Sequence, residues 1–220
     1  MPKVEFIFDK EKDIWNYWST ANGSSKWHDF SKDMPKDIYE LIKDRKYEDV
    51  KKIIKEKISY IQNKEMIGVF IKALETSWEN IEKEYFKRLE KITKKKIYTD
   101  KFTAFITTTG RCPYDDKKNW FMVSLFYSLP MSLSTCGHEI MHLQFHHYFW
   151  KDVEKEIGYE KTSDLKEALT VLLNLEFEDL WLMRDKGYDS HQELRKFISE
   201  EWKKEKDFDK LLKKCIGHLK

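Results

Sequence analysis

Apolar residues recur at helical spacing through the first half of the chain. One predicted helix has an apolar face formed by Ile53, Ile54, Ile58 and Ile61. A longer helix follows, with a stripe of Phe70, Leu74, Trp78, Ile81, Tyr85 and Leu89. Positions three and four residues apart lie on one side of a helix, so both stripes predict helix-packing faces. We therefore expect an N-terminal helical region over about residues 36–96.

Shorter segments have the composition of strands. Residues 4–9 and 101–109 each predict a strand, and the aromatic-rich residues 120–127 predict a third. A turn over residues 110–116 separates the last two, which are therefore expected to form a hairpin. Residues 120–127 are further expected to be an edge strand, with one side of the backbone free. Residues 16–35 are aromatic and polar, and residues 21–25 within them predict a loop.

Helical patterns return in the second half. Pro130 suits the entry to a helix that is expected to run to about Trp150. A second helix is expected over residues 163–174, capped at its Ser or Asp, and helix is expected again over residues 189–214.

These elements predict an α+β fold, mostly helical, with a small sheet next to the helix that begins near Pro130. At 220 residues with 40% apolar content, the chain is long enough to bury a core as a single domain over residues 1–220. Beyond the N-terminal helical region, we expect a central core over about residues 97–185. Helices over about residues 186–220 complete the expected domain.

The helix after Pro130 contains the sequence HEIMH at residues 138–142. Residues four apart share a helix face, so His138 and His142 can bind one metal ion together. Glu139 follows the first histidine, where its carboxylate can act as a general base toward a metal-bound water. The spacing predicts a metal-dependent hydrolase.

A catalytic zinc ion usually has three protein ligands, and the motif supplies two. Glu167 is the nearest downstream candidate, because it lies beside the apolar stripe of the second predicted helix. The alternative is a water-exposed glutamate near a helix N-terminus. His146 is a weaker candidate, since three ligands on consecutive turns of one helix converge poorly. The pattern HExxHxxGxxH is absent, because Phe145 and Tyr148 occupy its last two fixed positions.

The motif at residues 138–142 followed by Glu167 on a later helix resembles the gluzincin branch of the zincin metallopeptidases. The resemblance covers roughly residues 102–174 and implies a zincin-like fold with Zn²⁺ bound by His138, His142 and Glu167. It implies Glu139 as the catalytic base. One departure is Val171, which stands where the family often has an aspartate that supports a ligand, and no individual family can be assigned.

This resemblance implies hydrolysis of a peptide bond in a peptide or protein substrate. Such a reaction requires a donor that stabilises the transition state. Tyr188, His191 and Arg195 lie downstream of the second predicted helix and are the candidates for this donor or for support of the ligands. His146 is a further candidate for support. The edge strand expected over residues 120–127 would bind an extended peptide through its backbone.

Charge and cysteine content limit the partners. The chain has 41 basic and 39 acidic residues, and this balance argues against a nucleic-acid-binding surface. Three separated cysteines without a disulfide pattern fit a reducing compartment. The N-terminus has no signal-peptide core, and no stretch predicts a membrane span. A cytoplasmic protein is expected, with no prediction of its oligomeric state.

Two other classes of function remain open. The chain could be a catalytically silent regulatory or interaction protein that binds a metal at the same residues. It could also be a helical interaction protein in which the motif is coincidental. Metal content separates the last class from the others, and loss of activity in Glu139→Gln separates the peptidase from the silent protein.

Overall fold

A four-stranded mixed sheet lies at the centre of the fold. The computed structural model describes residues 2–220, with strands β1 (Lys3–Ile7), β2 (Lys101–Thr107), β3 (Tyr114–Asp115) and β4 (Trp120–Ser124). The strand order is β1-β2-β4-β3. β1, β2 and β4 run parallel to their neighbours, whereas β3 is antiparallel to β4.

Helices make up most of the remaining fold, which confirms the predicted mostly helical α+β class. The helices before β2 are α1 (Lys10–Asn22), α2 (Lys36–Ile42), α3 (Tyr47–Gln62) and α4 (Met66–Thr93). Those after β4 are α5 (Leu129–Tyr148), α6 (Trp150–Leu169), α7 (Val171–Glu176), α8 (Glu178–Trp181), α9 (Gln192–Lys204) and α10 (Phe208–Leu219). Within residues 2–220, none of these helices has the length and apolar character needed to cross a bilayer.

The predicted hairpin and edge strand were wrong. β2 and β4 are parallel neighbours, with Thr103 opposite Trp120 and Thr107 opposite Ser124. The antiparallel neighbour of β4 is the two-residue β3, which the sequence analysis had placed in a turn. β4 therefore has strands on both sides, and β3 forms the sheet edge.

Helix α1 was not predicted, and its buried polar side chains contact the chain after β2. Asp9 caps α1 by accepting hydrogen bonds from the backbone N–H groups of residues 11 and 12. The buried Asp13 accepts hydrogen bonds from Thr107 Oγ1 and from the backbone N–H of Thr108. Asn16 donates to the carbonyl oxygen of Arg111. These contacts fix the segment that leads into β3.

Two apolar clusters stabilise the fold. The larger joins the sheet to α4, α5, α6 and the C-terminal helices, and the smaller joins α1, α2 and α3. Close packing positions α5 within the larger cluster. Tyr85 of α4 donates a 2.6 Å hydrogen bond to the carbonyl of Gly137. A Cβ atom on Gly137 would approach the ring of Trp181 to 2.6 Å, so this position requires a residue without a side chain.

Helix α6 differs from the helix predicted over residues 163–174. It begins at Trp150 and contains a break at Gly158, whose φ is 78°. Its last segment then continues to Leu169, so Glu167 lies near the C-terminal end and not in the first turns. Asp164 does not cap the helix, because its carboxylate accepts hydrogen bonds from Trp27 and His191.

Candidate metal centre

Three predicted ligands converge between α5 and α6. Glu167 Oε2 lies 3.3 Å from His142 Nε2 and 3.7 Å from His138 Nε2. One ligand atom from each of the three residues lies within 4.8 Å of the other two. Donors about 2.0–2.2 Å from a tetrahedral zinc ion are separated by roughly 3.3–3.6 Å. The donor atoms and their spacing therefore fit a zinc ion.

Local structure explains the convergence. His138 and His142 are one helical turn apart on α5, and their rings lie 4.3 Å apart between centroids. Ser128 caps helix α5, and Pro130 lies in its first turn. Packing of α6 against α5 places Glu167 opposite the two histidines.

His142 provides the strongest sign of a ligand that binds here. Its side chain is 2% exposed. Nδ1 has no hydrogen-bond partner within residues 2–220, and Nε2 faces Glu167 Oε2 at 3.3 Å without forming a well-directed hydrogen bond. Burial lowers the pKa of His142 to about 3, so the ring is neutral and can donate a lone pair. A buried imidazole without partners is costly, and a metal ion at Nε2 would remove part of that cost.

Asp185 supports His138. His138 Nδ1 donates a 2.5 Å hydrogen bond to Asp185 Oδ2, which leaves Nε2 directed toward Glu167. Burial lowers the pKa of His138, but the Asp185 carboxylate outweighs burial and holds this pKa well above its usual value. Carboxylates commonly orient metal-binding histidines in this way. Val171 cannot support a ligand, and the carboxylate that contacts His138 comes from Asp185 instead.

The loop that carries Asp185 is held from several directions. The side-chain amide of Asn174 bonds both the backbone N–H and the carbonyl of Asp185 at 2.7 Å. Arg195 is 4% exposed and lies 3.0 Å from Asp185 Oδ1. Arg195 also donates to Thr170 Oγ1 at 2.8 Å. Arg195 is therefore a support for the carboxylate and not a free donor toward a substrate.

Glu139, the predicted base, is a buried residue of α5. Its side chain is buried, and Oε2 has no hydrogen-bond partner among the described residues. Burial raises the pKa of Glu139 to about 7, although the positive charges of His138 and Lys166 lower it in part. A carboxylate with a pKa near neutrality can both accept and return a proton.

The other predicted candidates have separate positions. His191 Nε2 donates to Asp164, and its ring packs against Trp27. Tyr188 stacks on Trp27, and its backbone carbonyl accepts a hydrogen bond from Gln192, whereas its hydroxyl makes none within residues 2–220. Burial raises the pKa of Tyr188, and the negative charges of Glu167 and Glu139 add to this effect. Of Tyr188, His191 and Arg195, only Tyr188 combines proximity to these carboxylates with a free donor.

His146 lies outside the three-ligand group. Its Nε2 is 2.8 Å from the hydroxyl of Tyr114, and its ring stacks on Trp150. Burial lowers the pKa of His146 to about 4, so the neutral ring accepts the hydrogen bond from Tyr114. This placement assigns His146 to support of the edge strand.

Sequence reasoning missed three polar residues that contact the site: Asp185, Lys166 and Tyr114. Lys166 directly precedes Glu167, and its Nζ lies 2.6 Å from Glu167 Oε1. Adjacency in sequence was its only signal, because a lysine beside an apolar helix face ordinarily extends into water. No sequence pattern identified Asp185 or Tyr114, because the sequence of a loop or strand does not show which distant side chains it will contact.

Comparisons of the chain with protein-family profiles, with curated proteins and with solved structures gave no match. The resemblance of the centre to gluzincins depends on residues 138–142 and Glu167, and remains a prediction.

We expect Asp185→Asn to weaken metal binding by roughly 10–100-fold, because His138 loses the carboxylate that orients it. The Asp185 carboxylate raises the pKa of His138, so a metal ion competes with a proton for this ring. Metal affinity should therefore fall as the pH is lowered, and Asp185→Asn should release fewer protons per metal than the native protein.

Isothermal titration calorimetry in two buffers of different ionisation enthalpy measures this proton release. Asp179→Asn is the matched control, because Asp179 is exposed and pairs with Arg88. Equal affinity and equal proton release in the native protein and Asp185→Asn would contradict a supporting role for Asp185.

Proposed function

We propose that this protein is a zinc-dependent, gluzincin-like metallopeptidase. The observation that carries the proposal is the convergence of His138, His142 and Glu167, because the buried His142 ring makes no hydrogen bond. Glu139 directly follows His138 in the sequence. Zinc bound by these three residues would supply Lewis acidity and lower the pKa of a water molecule. Peptide hydrolysis by a metal-activated water requires this chemistry together with a nearby base.

The chain's own groups have complementary roles in such a reaction. Glu139 would accept a proton from the attacking water and return it to the leaving amine, as its raised pKa favours. Asp185 holds the His138 ring in place through Nδ1. Tyr188 is the best placed donor for the oxyanion that develops on the substrate carbonyl.

The sheet edge supports an extended peptide as the substrate. β3 pairs with β4 on one side only, and its other edge is unpaired within the described residues. Tyr114 of β3 lies beside the centre, with its ring centroid 5.6 Å from that of His142. An extended chain could add to this edge through backbone hydrogen bonds. The peptide-binding edge is therefore proposed at residues 114–115, in place of residues 120–127.

Digestion of an unstructured peptide library tests the proposal. Zinc-loaded native protein should generate new peptide termini that mass spectrometry detects, whereas Glu139→Gln at equal zinc content should generate almost none. Library peptides with proline at a backbone-pairing position should resist cleavage, because proline lacks the N–H donor. Identical peptide profiles for the two proteins would reject the peptidase and leave a metal-binding protein without this activity.

A further inference from the structure

The two carboxylate oxygens of Glu167 have different surroundings. Oε2 faces His142 at 3.3 Å and His138 at 3.7 Å, in the position of a metal ligand. Oε1 instead accepts a 2.6 Å hydrogen bond from Lys166 Nζ. Oε1 is therefore bound to the ammonium group, and only Oε2 is left to bind a metal ion.

Lys166 also contacts the sheet edge. Its Nζ donates a second hydrogen bond, 2.8 Å long, to the hydroxyl of Tyr114 on β3. That hydroxyl is in turn 2.8 Å from His146 Nε2 on α5. A continuous chain of hydrogen bonds thus joins Glu167, through Lys166 and Tyr114, to His146.

This arrangement differs from an ordinary surface ion pair. The Lys166 side chain is 5% exposed and that of Glu167 is 11% exposed, so both charges have lost most of their water. Burying an ammonium group is unfavourable unless specific partners compensate, and here the partners are a proposed ligand and the proposed substrate-binding edge. Lys166 is therefore placed to affect both.

We propose that Lys166 is a positioning residue that keeps Glu167 a one-oxygen ligand of the metal and ties that ligand to the edge strand through Tyr114. This inference rests on the proposed metal site. It predicts that Lys166 limits metal affinity, because a positive charge beside a ligand opposes binding of a cation. A purely structural role predicts the opposite, since damage to the site would weaken binding.

Cobalt(II) in place of zinc provides a direct readout. In the native protein, a four-coordinate Co²⁺ ion should give intense visible absorption. Lys166→Met frees Oε1 to bind the metal as well, and the resulting higher coordination number should reduce that intensity. The same variant should bind Co²⁺ about tenfold more tightly, because it removes a positive charge beside a ligand.

Tyr114→Phe is the second variant, and it keeps the test valid if Lys166→Met does not fold. It retains the ammonium contact but removes the anchor to β3, so its spectrum should change in the same direction by a smaller amount. Lys155→Met is the matched control, because Lys155 is exposed on the same helix and should leave spectrum and affinity unchanged. Circular dichroism verifies the fold of each variant.

The outcomes separate the two proposals. Native protein that gives no Co²⁺ spectrum would overturn the metal site, and the role of Lys166 with it. A native spectrum that Lys166→Met and Tyr114→Phe both leave unchanged would overturn only the positioning role. Weaker Co²⁺ binding by folded Lys166→Met would likewise reject it.

Discussion

Replacing His138 or His142 with alanine is expected to abolish zinc binding, whereas the native protein should contain about one zinc ion per chain. Each histidine supplies one of three converging ligand atoms, and two remaining ligands hold a catalytic zinc ion poorly. Glu167→Ala should weaken binding strongly for the same reason. Elemental analysis of protein purified without added zinc, followed by titration with a competing chelator, measures both effects.

His147→Ala is the matched control for these variants. His147 is an exposed histidine on the same helix, and its ring stacks on Tyr98 away from the three ligands. The His147→Ala variant should retain zinc at the native level. Full zinc retention in Glu167→Ala would exclude Glu167 as a ligand and return His146 to consideration.

Glu139→Gln is expected to keep zinc and the fold while reducing peptide turnover by about two or more orders of magnitude. The amide has nearly the same shape as the carboxylate but cannot accept the proton of the attacking water. Glu139 is also absent from the group of three converging ligands, so metal content should not depend on it. Steady-state cleavage of a peptide found in the library screen, at equal zinc content, measures the loss.

Glu160→Gln provides the control for Glu139→Gln, since Glu160 is exposed on α6. Its turnover should match that of the native protein. Loss of zinc in Glu139→Gln as complete as in His138→Ala would show that Glu139 acts as a ligand, and the assignment of the base would be wrong.

Local patterns predicted much of the scaffold. The apolar stripes predicted the main parts of α3 and α4, because helical spacing depends only on nearby residues. The same reasoning placed His138 and His142 on one helix face, since a single turn fixes their separation. Glu167 was selected because a carboxylate beside an apolar helix face needs a buried partner. The structure brings these three residues together.

Elements defined by long-range pairing were predicted less well. The edge strand was assigned to residues 120–127, but the choice between edge and interior depends on which strands pair. The segment between β2 and β3 is held by contacts with Asp13 and Asn16, which are more than 90 residues away in sequence. Helix α1 itself was missed because its apolar pattern is weak and its buried face includes polar residues.

Sequence patterns were sufficient to predict the histidine motif, the helical character of the chain and the candidate base. The groups that surround the predicted ligands depend on how distant segments pack. Asp185 reaches His138 across 47 residues of sequence, and Tyr114 reaches Lys166 across 52. Helical periodicity is a local property, whereas the partner of a buried charge is fixed by packing between distant segments. For this reason the resemblance to gluzincins came from the sequence, and the roles of Asp185 and Lys166 came from the fold.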